Sequence, residues 1–371
     1  MGDTISQRLA RLRDRLAVEH LDALLVLNEE NRYYLSGFSA RDGQFDESAG
    51  GVIVGKAKQV IATDSRYEVQ AQNEAKHFEV VRYREGLAKV LPEIVQSLGG
   101  KRLGFESARL SYYQFQKISE QLKEQIPALD FVPTEGLVED LRVIKDAEEI
   151  AAIGEALALA ESILSDILAQ LSAANKTERH IAWEMEKGMK ENGAEAMAFP
   201  PIVASGPNAA MPHAVPSNRL VNDGGPLLLD WGCRVNGYCS DISRTVCIGP
   251  RDETFRKVFK TVSDAQRLAI DAIKPGVSTQ TVDRVAREHI ETQGFGGRFG
   301  HGLGHGVGLA THEKPHLSPL KSTPLEAGMV TTVEPGVYIP GWGGVRLENM
   351  VVVETHGARI LNHLPVELDS D

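Results

Sequence analysis

The sequence predicts a protein of two parts, an α/β part followed by an α+β part. The chain has 371 residues, which is more than one ordinary domain contains. Strand-like and helix-like patterns alternate over residues 1–140, and this alternation is typical of α/β layers. After residue 143, long helices alternate with groups of strands, which is typical of an α+β domain with an antiparallel sheet. The second part also suggests two similar halves, although it carries no convincing sequence repeat.

The elements of the first part follow from the spacing of apolar residues. A charged amphipathic helix over 5–20 has Leu9, Leu12 and Leu16 at helical spacing. Short apolar runs predict strands, and longer amphipathic stretches predict helices. Strands are expected at 23–28, 50–55, 59–63 and 103–106, and further helices at 86–98 and 111–126.

The second part is expected to begin at a helix N-cap. Asp146 is followed three residues later by Glu149, a variant of the capping box, and the sequence rich in Ala, Leu and Ile beyond it predicts a helix to about Leu171. The Pro- and Gly-rich segment FPPIVASGPNAAMPHAVPSN predicts a loop. Further helices are expected at 177–191, 252–273 and 279–293, and the last strands in MVTTVEPGVYI and VRLENMVVVE.

Composition argues against several classes of protein. The net charge is −11 and no basic stripe is interleaved with aromatic residues, so nucleic-acid binding is not expected. No apolar run approaches the ~18 residues that cross a bilayer, and the N-terminus lacks the apolar core of a secretory signal. Cys233, Cys239 and Cys247 have no zinc-binding spacing. They predict reduced thiols in a cytoplasmic protein.

The stretch LLLDWGCRVNGYCSDISRT, residues 227–245, predicts a β-hairpin that carries two aspartates. Asn236-Gly237 indicates a two-residue turn, because both central positions need a positive φ. Asp230 and Asp241 then become diagonal neighbours on one face, ~7–8 Å apart, where they could share a cation. The alternative is a pair of solvated aspartates on an exposed face, which the apolar neighbours disfavour. The predicted register pairs Val235 with Tyr238, Gly232 with Asp241 and Asp230 with Ser243.

Histidines gather in a glycine-rich run. RFGHGLGHGVGLATHE contains His301, His305 and His312. Glycine lets the backbone approach a ligand closely, and neutral imidazole is a common metal ligand. A flexible surface loop with solvated histidines is the alternative. By itself, His213 in the proline-bounded MPHA reads as an ordinary surface histidine.

Two glutamates interrupt apolar sequence near the C-terminus. Glu334 lies within TTVEPGVYI, and Glu348 follows Arg346 by two residues in VRLENMVVVE, so Arg346 and Glu348 would face one side of a strand. Either glutamate could instead be a core carboxylate that Arg346 satisfies.

Four carboxylates and one imidazole on separate strands suit two divalent metal ions. Oxygen-rich sites favour Mn²⁺, with Co²⁺, Zn²⁺ and Fe²⁺ as alternatives. Two ions a few ångströms apart can hold a bridging hydroxide as nucleophile and polarise a carbonyl, while further histidines and a glutamate move protons. This is the chemistry of amide hydrolysis. The five candidate ligands are Asp230, Asp241, His305, Glu334 and Glu348.

The ordered motifs DWG…CSDISRT, GHGLGHGVG…HE, VEPGVY and GVRLEN resemble the metallopeptidases with the pita-bread fold (family M24). The resemblance is greatest to their Xaa-Pro dipeptidase (prolidase) and Xaa-Pro aminopeptidase branch. It covers nearly the whole chain and includes NRYYLSGF at 31–38 and TDSRY at 63–67. It implies an α+β pita-bread catalytic domain over 143–371, with helices, an antiparallel sheet and a pseudo-two-fold axis. It also implies a smaller α/β, creatinase-like N-terminal domain over 1–142.

The resemblance further implies a role for each candidate ligand. Asp230 would bind the first metal ion through both carboxylate oxygens. Asp241 and Glu348 would bridge the two ions. His305 and Glu334 would bind the second ion, and Glu334 would also handle the proton of the bridging hydroxide.

Other residues would act on the substrate or on these ligands. His213 and His312 match histidines that steady the reaction intermediate and assist proton transfer, and His301 matches one that lines the cleft. Arg346 would orient a carboxylate ligand. Phe199 is a candidate for the apolar pocket that receives the proline ring. The departures from the usual family sequence remove no ligand; they are Pro200-Pro201, Ala310-Thr311 and Cys233.

The expected function is hydrolysis of the Xaa-Pro bond at the N-terminus of short peptides. An Xaa-Pro dipeptidase is favoured over an Xaa-Pro aminopeptidase, which acts on tripeptides and longer chains. The N-terminal domain disfavours a methionine aminopeptidase. The five retained ligands disfavour a metal-free creatinase-like hydrolase and a non-catalytic binding protein. The partner would be a proline-containing peptide, and the resemblance implies a homodimer.

Overall fold

The computed structural model describes residues 2–44, 47–171, 176–221 and 225–368. The chain divides into two compact units, Met1–Arg142 (the N-terminal unit) and Val143–Asp371 (the C-terminal unit). Of the helices described in these ranges, none has both the length and the apolar character that a bilayer crossing requires.

The N-terminal unit alternates strands and helices around one mixed sheet. Its strands are β1 (Ala23–Val26), β2 (Gly51–Gly55), β3 (Gln59–Thr63), β4 (Glu79–Arg82), β5 (Arg102–Glu106) and β6 (Asp130–Thr134). Its helices are α1 (Gly2–Val18), α2 (Glu29–Ser36), α3 (Glu68–Glu74), α4 (Leu87–Leu98), α5 (Tyr112–Gln125) and α6 (Glu139–Arg142). The sheet order is β4-β3-β2-β1-β5-β6, with β1–β2 and β2–β3 antiparallel and the other pairs parallel.

Apolar side chains at regular spacing account for these elements. Leu12 of α1 is fully buried, as its helical spacing predicts. On the sheet, the ring of Phe105 stacks on that of Phe131, with centroids 4.1 Å apart, and lies 5.5 Å from the ring of Phe115 on α5. All strands and helices predicted for this part are present. The structure adds α2, α3, α6, β4 and β6.

Within the described ranges 143–171, 176–221 and 225–368, the C-terminal unit contains four long helices and several antiparallel sheets. Its helices are α7 (Ala147–Leu171), α8 (Glu178–Glu191), α9 (Glu253–Ala272) and α10 (Thr279–Ile290). Its first strands are β7 (Ala196–Met197), β8 (Ile202–Ser205), β9 (Gly225–Trp231), β10 (Cys233–Val235), β11 (Tyr238–Cys239) and β12 (Ile242–Ile248). The later strands are β13 (Gly304–Gly306), β14 (Glu313–Leu317), β15 (Val330–Val333), β16 (Gly336–Ile339), β17 (Gly343–Arg346), β18 (Asn349–Glu354) and β19 (Gly357–Ile360).

Two of these sheets contain or adjoin the five candidate metal ligands. One has the order β12-β9-β8 and the other the order β14-β13-β15-β18-β19. The apolar faces of α9 and α10 pack against the second sheet through buried side chains such as Val262, Val282 and Val351. The predicted capping box at the start of α7 is present, because Asp146 and Glu149 exchange two hydrogen bonds of 2.9 Å.

Three local features differ from the predicted elements. The segment Ile202–Ser205, expected to be loop, is strand β8 and pairs with β9. The two strands expected near the C-terminus are each divided, into β15 and β16 and into β17 and β18. Glu334 and Glu348 lie at these divisions. Each glutamate therefore stands where the backbone turns between two strands.

Candidate active site

One cavity of about 630 Å³ in the C-terminal unit is lined by all ten side chains that the sequence singled out. These residues are separated by up to about 150 positions in the chain, and the sheets bring them together. They are Phe199, His213, Asp230, Asp241, His301, His305, His312, Glu334, Arg346 and Glu348.

The hairpin turn sets the positions of the two aspartates. Asn236 and Gly237 have φ values of 52° and 80°, as a turn with two left-handed central residues requires. The predicted register is confirmed where Val235 pairs with Tyr238 and Asp230 pairs with Ser243. Both aspartates are buried, with exposed fractions of 8% for Asp230 and 5% for Asp241.

Glycines on both sides of His305 allow neighbouring strands to approach it. A Cβ on Gly304 would lie 2.0 Å from the carbonyl oxygen of Thr332, and a Cβ on Gly306 would lie 2.1 Å from that of Lys314. Neither contact is sterically allowed, so the GHG sequence is what lets β13 sit between β14 and β15. The glycine-rich run is therefore strand and close packing around His305 rather than a flexible surface loop.

The imidazole of His305 is held in one tautomer. Its Nδ1 lies 3.0 Å from the carbonyl oxygen of Gly306, and because a carbonyl only accepts, Nδ1 carries the proton. The lone pair of Nε2 then faces the carboxylates, 3.3 Å from Glu334 Oε1 and 3.6 Å from Asp241 Oδ2. Burial lowers the pKa of His305 to about 3, which keeps the ring neutral and able to bind a metal ion.

Three candidate ligands form a tight group. Each of Asp241, His305 and Glu348 offers a ligand atom, and these atoms all lie within 4.8 Å of one another. Asp230 and Glu334 line the same cavity outside this group.

Two buried carboxylate oxygens in the cavity wall have unfilled acceptor capacity. Glu348 Oε2 accepts a hydrogen bond of 2.9 Å from Ser243 Oγ, and Asp230 Oδ2 accepts one from Arg346. Their other oxygens, Glu348 Oε1 and Asp230 Oδ1, find no hydrogen-bond partner among the residues that the structure describes. Such atoms are costly to bury unless something else neutralises them.

The carboxylates also repel one another. Burial, followed by the charges of Glu348, Asp230 and Glu334, raises the pKa of Asp241 well above its usual value. Burial and the charges of Glu334 and Asp230 raise the pKa of Glu348 in the same way. Burial raises the pKa of Glu334 to about 7. All of these shifts show that the site favours a positive charge among its oxygens.

Arg346 forms several hydrogen bonds that hold residues of the cavity wall together. Besides Asp230, it donates to Ser243 Oγ at 2.9 Å from Nε, and from Nη1 to the carbonyl oxygen of Pro212 and to Tyr338 Oη, both at 3.0 Å. The guanidinium thus contacts one oxygen of Asp230 and leaves the other free. Its described hydrogen bonds go to neither Glu348 nor Glu334, which disfavours the alternative of a core glutamate satisfied by Arg346.

The three remaining histidines line the same cavity and differ in how far they are buried. His301 Nδ1 lies 2.8 Å from the carbonyl oxygen of Gly302 and its Nε2 lies 2.8 Å from Tyr338 Oη, so the hydroxyl donates to Nε2. Burial lowers the pKa of His301 to about 4. The ring of His312 is exposed, and its centroid is 4.3 Å from that of His305. His213 is exposed and lies on the irregular chain after β8.

The donor set fits divalent cations. Carboxylate oxygens and a neutral imidazole nitrogen are the ligands that Mn²⁺ and neighbouring metals take in proteins. The two unpartnered oxygens and the mutual repulsion of the carboxylates are both removed when a cation lies among them. A cation would thus turn an unfavourable cluster into a favourable one.

Sequence reasoning did not single out Tyr338 or Ser243 as site residues. Tyr338 joins Arg346 to His301, and Ser243 joins Arg346 to Glu348. Both were detectable by spacing: Ser243 stands opposite Asp230 in the hairpin register, and Tyr338 follows Glu334 by four residues in VEPGVY.

Comparisons with known proteins agree with this geometry. Metallopeptidase family M24 matches residues 151–355, and the creatinase/prolidase N-terminal domain matches residues 8–144. The chain is 36% identical to an Xaa-Pro dipeptidase of Pyrococcus furiosus, over 98% of this chain and 100% of that one.

Solved structures are similar over almost the whole chain. An Xaa-Pro dipeptidase from Bacillus anthracis has a TM-score of 0.91 and 36% identity, covering 98% of this chain and 99% of that one. An X-Pro aminopeptidase from Thermotoga maritima has a TM-score of 0.84 and 36% identity, covering 94% and 97%. The cavity with its converging carboxylates and histidine therefore belongs to a metallopeptidase, and the chain is a member of metallopeptidase family M24 with a creatinase/prolidase N-terminal domain.

Proposed function

We propose that the protein hydrolyses the Xaa-Pro bond of short peptides as an Xaa-Pro dipeptidase. The observation that carries this proposal is the group of Asp241, His305 and Glu348. Within this group Glu348 Oε1, and in the same cavity Asp230 Oδ1, have no partner among the described residues. The names of the Pyrococcus furiosus and Bacillus anthracis relatives support the same substrate.

Two divalent ions, preferably Mn²⁺, are the proposed cofactor. Asp230 would hold one ion, His305 and Glu334 the other, and Asp241 and Glu348 both. When bound, the ions activate water at neutral pH and offset the charge that develops on the scissile carbonyl oxygen. Arg346 holds Asp230 by one oxygen, which fixes the orientation of that ligand.

Protons would move through groups at the edge of this cluster. Glu334 is a buried carboxyl group beside the cluster, and a bound cation would hold it in the ionised form that can accept a proton. It would take a proton from the attacking water at a carboxylate oxygen. The nitrogen of an Xaa-Pro bond, which carries no hydrogen, must receive a proton to leave as an amine, as every amide nitrogen must. His213 and His312 would steady the carbonyl oxygen and assist this transfer.

Apolar side chains in the lining of the cavity support recognition of proline. Phe199 and the prolines that follow it line the cavity together with Ile202 and Pro212. These side chains offer an apolar surface to a pyrrolidine ring and require no N–H from the substrate. His301, tied to Tyr338, would line the path of the substrate.

Three further features belong to the same proposal. The catalytic domain would comprise residues 143–371, and the creatinase-like domain residues 1–142. The protein would act as a homodimer in the cytoplasm. Cysteine usage supports this compartment, since Cys233, Cys239 and Cys247 are buried free thiols, and family resemblance supports the dimer.

The test joins metal content to peptide length. The protein loaded with Mn²⁺ is expected to hold two ions per chain, measured by mass spectrometry of metals, and to cleave an Xaa-Pro dipeptide faster than the matching Xaa-Pro-Yaa tripeptide. Asp241→Ala is expected to lose most metal and nearly all activity while its circular dichroism stays unchanged. Full activity of that variant would refute the dinuclear site.

The alternative is an Xaa-Pro aminopeptidase, which the likeness to the Thermotoga maritima structure favours. It predicts the reverse order of rates, with the tripeptide cleaved faster than the dipeptide. The matching Xaa-Ala peptides serve as controls, because either enzyme is expected to leave them largely intact.

A further inference from the structure

The segment that carries His213 has little regular structure of its own. It leaves strand β8 at Ser205, makes one 3₁₀ turn over Gly206–Ala210, and then runs as irregular chain to the next bridge at Leu220. His213 is exposed, and Val215 has 81% of its surface exposed. Ala214, between them, is buried against Ile202 and Tyr338, so this one small side chain supplies the packing next to His213 and the rest of the support must come from hydrogen bonds.

A single buried carboxylate ties the two ends of this segment together. Glu178, in the first turn of α8, has no exposed surface. Its Oε1 accepts from the backbone N–H and the hydroxyl of Ser205 at 2.7 and 2.9 Å. Its Oε2 accepts from the backbone N–H and the hydroxyl of Ser217 at 3.0 and 2.6 Å. The side-chain amide of Asn208, within the segment, reaches both oxygens at 3.1 Å.

Other contacts fix the segment only in part. β17 packs against its first half so closely that a Cβ on Gly344 would lie 2.2 Å from the carbonyl oxygen of Ala209. Beyond that point, Arg346 donates to the carbonyl oxygen of Pro212, directly before His213. The second half ends at Ser217, whose backbone N–H and hydroxyl donate to Glu178.

We propose that Glu178 is a positioning residue: by fixing both ends of the 206–216 segment, it holds the His213 imidazole at the cavity. The inference rests on the proposed function, in which His213 assists catalysis. A misplacement of about 1 Å at a reacting group can lower the rate by ~10²-fold. A carboxylate suits this task because its two oxygens can accept at least four hydrogen bonds.

Glu178→Gln tests the clamp, meaning the hydrogen bonds from Ser205 and Ser217 to the Glu178 carboxylate, with little change in side-chain shape. The amide NH₂ cannot accept a hydrogen bond from a backbone N–H, so Ser205 or Ser217 loses its N–H bond to the side chain whichever way the amide turns. The pairing of Ser205 with β9 and the bond from the Arg179 N–H to the Ser217 carbonyl oxygen remain. Amide hydrogen exchange in 206–216 is expected to speed up in this variant, while metal content stays at the wild-type level. Glu106→Gln is the matched control, because Glu106 is also a buried acceptor of backbone N–H groups but lies in the N-terminal unit.

Kinetics distinguish positioning from a general loss of stability. With the full chain loaded with Mn²⁺ and an Xaa-Pro dipeptide, Glu178→Gln is expected to lower kcat by ~10- to 100-fold with little change in KM. The double variant with His213→Ala is expected to be no slower than His213→Ala alone, because both changes remove the same contribution. Glu106→Gln is expected to keep wild-type kcat.

Two results would overturn the inference: unchanged exchange of 206–216 in Glu178→Gln, or losses of kcat that multiply in the double variant. If Glu178→Gln does not fold, Ser217→Ala removes one donor of the clamp and is expected to show the same pattern to a smaller degree. A wild-type protein inactive on Xaa-Pro peptides would instead refute the proposed function, and the exchange experiment would still decide whether Glu178 anchors the segment.

Discussion

Buried glutamates in the two units differ in how their oxygens are satisfied. In the N-terminal unit, Glu106 accepts from the backbone N–H groups of Leu27 and Asn28 at 2.6 and 2.7 Å and from the amide of Asn31 at 2.6 Å. In the C-terminal unit, Glu348 accepts one hydrogen bond, from Ser243. Its second oxygen has no partner among the described residues.

The pKa values of the two carboxyl groups are nevertheless shifted in the same direction. Burial raises the pKa of Glu106 to about 7 and raises that of Glu348 well above its usual value. A raised pKa by itself therefore does not identify a functional group. The number of filled acceptor sites does, because the carboxylate of Glu106 is satisfied by donors within the protein, whereas Glu348 and its acidic neighbours would need a cation to be satisfied.

The largest expected effect is the contrast between a Glu→Gln substitution at Glu348 and the same substitution at Glu106. Glu348→Gln is expected to lower kcat/KM by ~10²- to 10³-fold, the scale on which loss of charge stabilisation at a transition state lowers rates, and to lower bound Mn²⁺. Glu106→Gln is expected to leave both unchanged. Metal analysis and peptide hydrolysis on the two variants measure this contrast. Equal losses in the two variants would remove the distinction between them.

The pH dependence of stability is expected to reveal Glu106. Its pKa is higher in the folded protein than the ordinary value of 4.5, so the folded state binds more protons between those values. The contribution of Glu106 to stability is then fully present below pH 4.5 and is lost as the pH rises through about 7, by roughly 3 kcal/mol in total. Urea unfolding of chelated wild-type protein and Glu106→Gln, from pH 4.5 to 8, gives this slope by difference. A difference that stays constant with pH would contradict the assignment.

Arg346→Lys is expected to have a smaller effect. A lysine cannot reproduce the fork that reaches Asp230, Ser243 and Tyr338 together, and loss of such support usually costs 10- to 100-fold in affinity or activity. The control is Arg32→Lys in the N-terminal unit, where a fully buried Arg32 pairs with Asp42 at 2.8 Å. We expect the control to lose stability and keep kcat/KM. A variant Arg346→Lys with wild-type metal affinity and rate would show that the fork is not needed.

Local signals made much of the site predictable. The turn at Asn236-Gly237 fixes the register of the hairpin, and the register brings Asp230 opposite Ser243. The glycines around His305 predicted close backbone approach, and the structure has it. Such features depend on residues adjacent in the chain, so the sequence displays them directly.

Features that depend on distant partners were not predictable in this way. Glu106 ends the ordinary strand sequence LGFE, and Glu178 opens the ordinary helix sequence ERHIAWEM. Their donors come from Leu27 to Asn31 in one case and from Ser205 to Ser217 in the other. The breaks at Glu334 and Glu348 were also missed, although Pro335 directly after Glu334 cannot donate to a ladder and signals the first of them. At Glu348 the backbone N–H donates to the carbonyl oxygen of Ser243 on β12, a partner too distant in the chain for the local sequence to show.

The smallest expected effect concerns Tyr338, which touches the site only through other residues. Tyr338→Phe removes the hydroxyl between Arg346 and His301. We expect about a tenfold loss of kcat, at the low end for groups that orient a metal site, with metal content unchanged. The matched control is Tyr34→Phe in the N-terminal unit, whose buried hydroxyl donates to the carbonyl oxygen of Leu141 at 3.1 Å.

Each of the two substitutions removes one buried hydrogen-bonding hydroxyl, so each is expected to lower the free energy of unfolding by ~1 kcal/mol. Only Tyr338→Phe is expected to slow hydrolysis, because only its hydroxyl is linked to residues that line the cavity. Thermal unfolding and steady-state rates on both variants separate the two consequences. If Tyr34→Phe slowed hydrolysis as much as Tyr338→Phe, loss of stability alone would account for both, and the chain from Arg346 to His301 would have no part in catalysis.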